Sequence, residues 1–517
     1  MKKSLVFLFC LVVLGFLISA TPYQIKDIQY STEAAWPRFF GATKVSVIKQ
    51  QFPVDKNRLF ETKEDLEKYL HNYEQRLIST RKFDKVDVSY DLQLSESGDI
   101  NEVFLKVDTS DSVHFIVVPY PKFSSGSGAQ LKLKAKDSNF FGLLNPLSAE
   151  LSIKSNDDGI IPGFGLDYDF PFTIGNIRAT WVNDFSLSYL VGKDDSEKKG
   201  FEWDLKEGLA LSIPLKYLPL NVGIFQYAHE DLDYKYFETE EDSYKFKDNC
   251  DDLYFTTEFS VGTSYNITEF SNYTNLTYSP SVSIKWNWDN DGINIKNADL
   301  SSPVLTFAHS LSNGKVIWNN HFRQGYNLSL NNSISWNFHR KDLNPVVSFD
   351  GQFFWNYKAN DQDYWDRFGI NSRLYAFYYF EVPSNEYQKR YDESFDGKLR
   401  GIYKDCDSTA SAIILNVDLP HNIFTTDFNS KILNFNLQFS PFFDMALVYN
   451  SAKDRYFNFE DGYYCAGIEF LVNPLKFSSY TIRLSLGVDL KGAAKENNFL
   501  EAISNNKELS FGLDLHF

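Results

Sequence analysis

The sequence predicts a mainly β protein: a transmembrane antiparallel β-barrel preceded by one small α+β domain. Three observations predict it. After residue 20 no continuous apolar run reaches the roughly 20 residues that a spanning helix needs. From Val113 onward apolar and polar residues alternate in one segment after another, the dyad of strands with one lipid face and one polar face. The chain also carries 47 Phe, 31 Tyr and 9 Trp in 517 residues, a supply suited to aromatic girdles at two membrane interfaces.

Residues 1–20 read as a secretory signal peptide. Lys2 and Lys3 supply the charged start, Leu5 to Leu17 the apolar centre, and Ser19-Ala20 the small residues for cleavage. Cys10 lies inside the apolar centre rather than at its end, which argues against a lipidated start. The formal charge is -17, and loss of the two leader lysines moves it to -19. That balance argues against a sequence-independent nucleic-acid partner, which needs a basic face, and suits hydrated surface loops. Beyond the leader stand Cys250, Cys406 and Cys465. An odd number gives no complete disulfide framework but permits one bridge, Cys250–Cys406, between two loops.

Residues 21–110 carry the helix signal. Gln24–Tyr30 reads as a strand and Lys44–Gln51 as a short helix before Pro53. Thr62-Lys-Glu-Asp65 is a capping-box pattern, with a hydroxyl for an early backbone N–H and a carboxylate at the positive helix end. Leu66, Tyr69, Leu70, Tyr73 and Leu77 follow at spacings of three and four, one apolar helical stripe. The period then falls to two at Val86, Val88, Tyr90 and Leu92. Ser95–Asp99 reads as a turn, and Val103, Leu105 and Val107 form another strand. This β-α-α-β-β order resembles a POTRA domain over Gln24 to Asp108. The segment Arg81-Lys-Phe-Asp-Lys-Val-Asp-Val88 is similar to the aromatic-plus-Asp-x-Val start of that family's second strand. A generic α+β domain shares much of the pattern.

Residues 113–517 read as the barrel. Leu131, Leu133 and Ala135 alternate with lysines; Val282, Ile284, Trp286 and Trp288 alternate with Ser, Lys and Asn; Phe435, Leu437 and Phe439 alternate with Asn436 and Gln438. Long polar connections such as Tyr234–Asp252 suit extracellular loops. In Leu509–Phe517 every odd position is apolar and every even one small or polar. Ending on Phe517, this strand resembles the β-signal by which outer-membrane barrels are recognised for insertion.

Gly397-Lys-Leu399-Arg400-Gly401-Ile402 narrows the reading. It resembles the loop motif of the BamA/TamA superfamily of outer-membrane assembly and translocation proteins, whose usual form is Val/Ile-Arg-Gly-Phe/Tyr. Leu399 and Ile402 depart from it, hydrophobic for hydrophobic, and Ile402 replaces an aromatic. Five strand candidates follow Arg400: Ala412–Leu419, Leu433–Tyr449, Tyr463–Val472, Tyr480–Leu490 and Leu509–Phe517. The resemblance implies the same five strands, a loop folded into the lumen, and an arginine meeting carboxylates on the next two strands, where Asp418 and Asp444 stand. Elementary physics asks for the same pairing. A guanidinium in a low-dielectric lumen needs a matched carboxylate, and losing one partner strands the other charge. Asp137-Ser-Asn139-Phe-Phe-Gly142 is similar to the turn after the family's second strand.

Twelve or thirteen strand candidates precede Arg400, depending on whether Val304–Leu311 is a strand. The resemblance implies eleven, about sixteen in all, with one or two segments between Leu253 and Leu311 as loop. The first barrel strand carries Pro119 and Pro121, which cannot donate to a ladder. Set against a last strand ending at Phe517, they predict a weak seam able to open laterally; alternatively both sit at the rim and matter little.

The resemblance implies an assembly or translocation factor of the bacterial outer membrane, its first domain in the periplasm. Its partners would be outer-membrane lipid, unfolded client polypeptides added as strands, and accessory lipoproteins, with no nucleic acid. The alternative is a passive porin or structural outer-membrane protein. No catalytic residue, metal or cofactor is expected. The eight histidines are scattered outside metal-ligand spacing, and neither a nucleophile elbow nor a phosphate-binding glycine loop is present.

Overall fold

The computed structural model describes residues 21–35, 41–124, 128–156, 159–191, 199–215, 218–232, 236–238, 244–246, 253–269, 274–288, 302–319, 321–357, 367–383, 388–389, 393–394, 397–402, 408–428, 434–477, 480–496, 498 and 506–513. The expected signal peptide, Cys250, Cys406 and Phe517 lie outside them. The chain divides into two compact units: Met1–Val113 with Phe141–Leu144, and His114–Phe140 with Asn145–Phe517.

The first unit runs β1 (Tyr23–Glu33), α1 (Val45–Gln51), β2 (Leu59–Phe60), α2 (Lys63–Ile78), β3 (Phe83–Leu94) and β4 (Asn101–Asp111). The two-residue β2 is an addition to the expected order; it pairs with Tyr23 and Gln24 at the start of β1. The sheet order is β2-β1-β4-β3, with β1 and β4 parallel. Thr62 caps α2: its hydroxyl oxygen accepts from the Asp65 backbone N–H at 3.1 Å and donates to the Asp65 carboxylate at 2.9 Å. Leu66, Leu70, Tyr73 and Leu77 then face the sheet, burying against Ile25, Phe60, Val103, Leu105 and Val107. Strand β3 forms one edge of the sheet, and Leu92 and Leu94 near its end are exposed.

The second unit is a closed barrel. Its strands are β5 (Phe115–Ser124), β6 (Gly128–Asp137), β7 (Leu147–Asn156), β8 (Gly159–Tyr168), β9 (Phe170–Ile174), β10 (Ile177–Leu190), β11 (Gly200–Pro214) and β12 (Pro219–Glu230). After the short hairpin β13 (Tyr236–Glu238) and β14 (Tyr244–Phe246) come β15 (Leu253–Thr263), β16 (Tyr265–Glu269), β17 (Asn275–Trp288), β18 (Val304–Asn319), β19 (Phe322–Asn337), β20 (Asp342–Tyr357) and β21 (Phe368–Tyr379). A second hairpin, β22 (Val382–Pro383) and β23 (Gln388–Lys389), precedes β24 (Ser411–Asp418), β25 (His421–Thr425), β26 (Phe435–Asn450), β27 (Arg455–Tyr456), β28 (Tyr463–Pro474), β29 (Ile482–Asp489) and β30 (Lys507–Leu513). Strands β30 and β5 are neighbours, which closes the cylinder.

The closed sheet contains 22 segments. Segments β8 and β9 share the partner β10, β15 and β16 share β17, and β24 and β25 share β26, so each pair is one interrupted stave. The two-residue β27 is a flap on β26. Setting aside these four segments leaves eighteen staves, thirteen before Arg400 and five after it. Eighteen exceeds the sixteen that the resemblance implies. It agrees with the larger count made from the residues themselves. The region Leu253–Leu311 holds the spanning strands β15, β17 and β18, and Val304–Leu311 lies inside a 16-residue strand. Thirteen is odd, as a chain starting on one side and reaching a loop on the other requires.

Alternation sets the two faces. Leu133 pairs with Leu151, Leu151 with Phe164 and Phe164 with Leu187, one apolar row around the outside. Inside, β26 buries Asn436, Gln438, Ser440, Phe442 and Asp444 at every second position. Lumen positions on β17 and β18 are half-buried rather than buried. The lumen is thus packed along its last five staves, where the connection from β21 to β24 folds against the wall.

Candidate functional site

That connection carries Arg400. Two backbone positions let it turn inward: Gly397 and Gly401 have φ of 75° and 94°, the left-handed region that glycine enters without a Cβ clash. Leu399 and Ile402 flank the arginine and bury in a cluster with Phe377, Ala412, Ile414, Ala446, Val448 and Cys465. Ile402 thereby takes an apolar packing place without an aromatic ring. Further back, Glu393 accepts from the Tyr375 hydroxyl at 3.1 Å and from Lys398 Nζ at 3.3 Å, and the Asn416 amide donates to the Lys398 carbonyl at 2.8 Å.

Arg400 is 1% exposed. Its backbone N–H and Nε both donate to Asp444 Oδ2, at 3.0 and 2.9 Å, while Nη2 donates to Oδ1 at 2.6 Å. This is a bidentate fork with a backbone donor added, the geometry that makes arginine–carboxylate pairing directional. Asp418 Oδ1 lies 2.6 Å from Nη2, a close ion pair that lacks the alignment of a hydrogen bond. On its other side Nη1 lies 3.2 Å from Glu469 Oε1. The guanidinium also rests on the Phe442 ring, 3.8 Å from its centroid. Glu469 in turn accepts from Ser485 Oγ at 2.5 Å and lies 3.4 Å from Arg483 Nη1. Three carboxylates and two guanidiniums thus share one buried spot on β24, β26, β28 and β29.

The backbone fits as closely as the charges. A Cβ on Gly401 would meet backbone atoms of Gly487 at 2.9 Å, and a Cβ on Gly487 would meet the Arg400 carbonyl and Gly401 at 2.9 Å. Loop and wall touch main chain to main chain at this point.

The structure brings Leu399, Arg400, Gly401, Ile402, Asp418 and Asp444 together. It adds Glu469, Arg483, Phe442, Gly487 and Glu393, which the sequence reading does not single out. Glu469 has a signal: it is the lone charge on the inward face of Tyr463–Val472, one strand beyond Asp444. Pro119 is exposed on β5 opposite Leu133, and Pro121 opposite Leu131. Two residues apart, both missing donors point to the same neighbour. At the foot of this strand Tyr480 is buried, and its hydroxyl is shared between the carbonyls of His114 at 3.2 Å and Lys136 at 3.3 Å. Tyr480 sits in the β28–β29 turn, so it reaches past β30 to the first hairpin. Beside it His114 Nδ1 lies 2.6 Å from Asp137, and both side chains are buried. Cys465 is buried and forms no disulfide among the described residues. Among the described residues no group of three His, Cys, Asp or Glu is placed to hold a metal ion.

Fold and site together define a class: a closed membrane-type β-barrel with a surface loop drawn into its lumen and held there by an arginine–carboxylate cluster. In solved structures the chain is similar to CdiB from Acinetobacter baumannii, at 11% identity and TM-score 0.48, covering 95% of this chain and 74% of that one. It is also similar to BamA from Haemophilus ducreyi lacking POTRA domains 1–3 (12%, TM-score 0.34, 94% and 85% covered) and to CdiB from Escherichia coli (10%, TM-score 0.36, 91% and 87% covered). No family model and no curated protein matches the sequence.

Proposed function

We propose that the protein is an assembly or translocation factor of a bacterial outer membrane, handling unfolded client polypeptides through its first unit and its barrel. The observation that carries this reading is the inward loop. A passive pore gains nothing from burying a guanidinium among three carboxylates, which costs desolvation on every group. A machine that must hold one lumen conformation against a moving client has a use for such an anchor. The exposed edge of β3 supports client capture, because an extended segment adding there gains backbone hydrogen bonds without a fixed sequence. The first unit would lie in the periplasm, and accessory lipoproteins remain candidate partners. The reading assigns the chain no catalytic step and no cofactor; the client's own folding supplies the free energy.

Depletion followed by a census of the outer-membrane proteome tests it. Broad loss of barrels identifies an insertase, and loss of one secreted protein identifies a dedicated transporter. An unchanged proteome, with large steady conductance insensitive to deletion of residues 21–110, makes the protein a pore.

A further inference from the structure

Glu207 is a charge on the lipid face of the barrel, in the middle of its strand. Strand β11 presents Phe201, Trp203 and Leu205 to lipid on one side of Glu207, and Leu209, Leu211 and Ile213 on the other. The register fixes this face. Trp181 pairs with Leu209, Leu209 with Ile224 and Ile224 with Phe259, and three members of that outer row are 51%, 51% and 40% exposed in the order Trp181, Ile224, Phe259. Glu207 lies two residues from Leu209 on the same face, whereas Lys206 faces the lumen beside Phe225 and Tyr227.

Among the described residues Glu207 is the one carboxylate with apolar lipid-facing residues on both sides of it in its strand, and it makes no hydrogen bond or ion pair there. Its row is polar across four staves: Asn183 pairs with Glu207, Glu207 with Gln226 and Gln226 with Thr257. The other three are occupied. Thr257 donates to Gln226 Oε1 at 2.7 Å, the Gln226 amide to the Tyr227 carbonyl at 3.0 Å, and the Asn183 amide to the carbonyls of Tyr168 and Trp181 at 3.2 Å. Lipid offers Glu207 no donor, and an ionisable side chain in the hydrocarbon region is costly unless another group meets it.

The row itself can supply that group. An amide nitrogen has two N–H donors, and Gln226 commits one to Tyr227. Two copies inserted in the same sense and related by a two-fold axis along the membrane normal present this face to itself. Strands tilt in a barrel, so the two rows cross rather than run parallel. A two-fold axis passing between Glu207 and Gln226 would set Glu207 of each copy against Gln226 of the other, inside a frame of exposed Trp181, Ile224 and Phe259. We propose that this face of β10–β15 is a self-association surface and that the protein forms a dimer sealed by two reciprocal Glu207–Gln226 contacts. Self-complementarity favours a second copy over a different membrane protein, because the donor at the matching depth is already present on this face.

The test uses the purified full chain in lipid bilayers, with subunit number read by single-molecule photobleaching across a lipid dilution series. The wild type is expected to titrate between monomer and dimer. Glu207→Leu and Gln226→Leu should each weaken the dimer at least tenfold, with the double variant no weaker than the worse single one. Leu374→Val, on a distant lipid-facing strand, should leave it unchanged. Both polar-to-leucine changes face lipid, so folding is kept and is checked by heat-shifted gel mobility. A wild type monomeric at every dilution overturns the proposal. So does a Glu207→Leu variant that dimerises like wild type, or a complex seen only with a different membrane protein. None of these readouts depends on client handling.

Discussion

Replacing Arg400 by Ala removes the one cation that touches Asp444, Asp418 and Glu469 together. The backbone N–H bond to Asp444 survives, but two aligned side-chain bonds and two close ion pairs are lost. Each carboxylate is nearly buried, so none recovers full hydration, and Arg483 remains only beside Glu469. Breaking one partner out of a buried pair costs about 3–5 kcal/mol. At about 1.4 kcal/mol per tenfold, that shifts the docked–undocked balance of the loop by roughly two to four powers of ten. Limited proteolysis reads this directly. Lys398 is half-buried with its carbonyl held by Asn416, so cleavage after it should be slow while the loop is docked and accelerate by a comparable factor in the variant. Arg400→Lys should fall between, since an ammonium cannot form the fork. Adding Asp444→Asn to Arg400→Ala should restore part of the protection by relieving carboxylate repulsion, a non-additivity that only contacting residues show. Wild-type protection in Arg400→Ala would refute the electrostatic account of loop docking.

Three further outcomes follow from the same geometry. Gly487→Ala places a methyl group against the Arg400 carbonyl, so it should undock the loop at a cost of about 1–3 kcal/mol and give the proteolytic pattern of Arg400→Ala without touching a charge. Tyr480→Phe removes a shared hydrogen bond worth about 0.5–1.5 kcal/mol, and hydrogen exchange should quicken along β5 and β30 while β18 and β19 stay as they were. Thr62→Ala should destabilise the first unit by about 0.5–2 kcal/mol in denaturant titration and leave barrel proteolysis unchanged.

Much of this architecture is legible in the sequence because period and charge are local signals. The stripe from Leu66 to Leu77 and the dyads of β6, β17 and β26 state which face is buried whatever lies opposite. Arg400, Asp418 and Asp444 are legible as a group only through the resemblance of the loop motif, which implies carboxylates on the two strands that follow it. What escapes depends on three-dimensional proximity. Gly487 looks like any strand glycine until Gly401 lies on it, and Glu393 sits in a loop whose path no periodicity encodes. Tyr480 reads as a strand start, yet it reaches across the seam. The number of staves differs for another reason: the dyads of β15, β17 and β18 are each legible in their own residues, whereas the count implied by the resemblance assigns part of that region to loop. Glu207 is hidden within a run, Asp204-Leu-Lys-Glu207, that alternates poorly.

The central claim is that the lumen-anchored loop serves client handling rather than barrel stability alone. The direct measurement is quantitative outer-membrane proteomics after depletion, with rescue by wild type or by Arg400→Ala at matched levels of inserted barrel. The account expects wild type to restore the lost client proteins and Arg400→Ala to leave them depleted. Full restoration by Arg400→Ala, with its loop shown to be undocked, would contradict it.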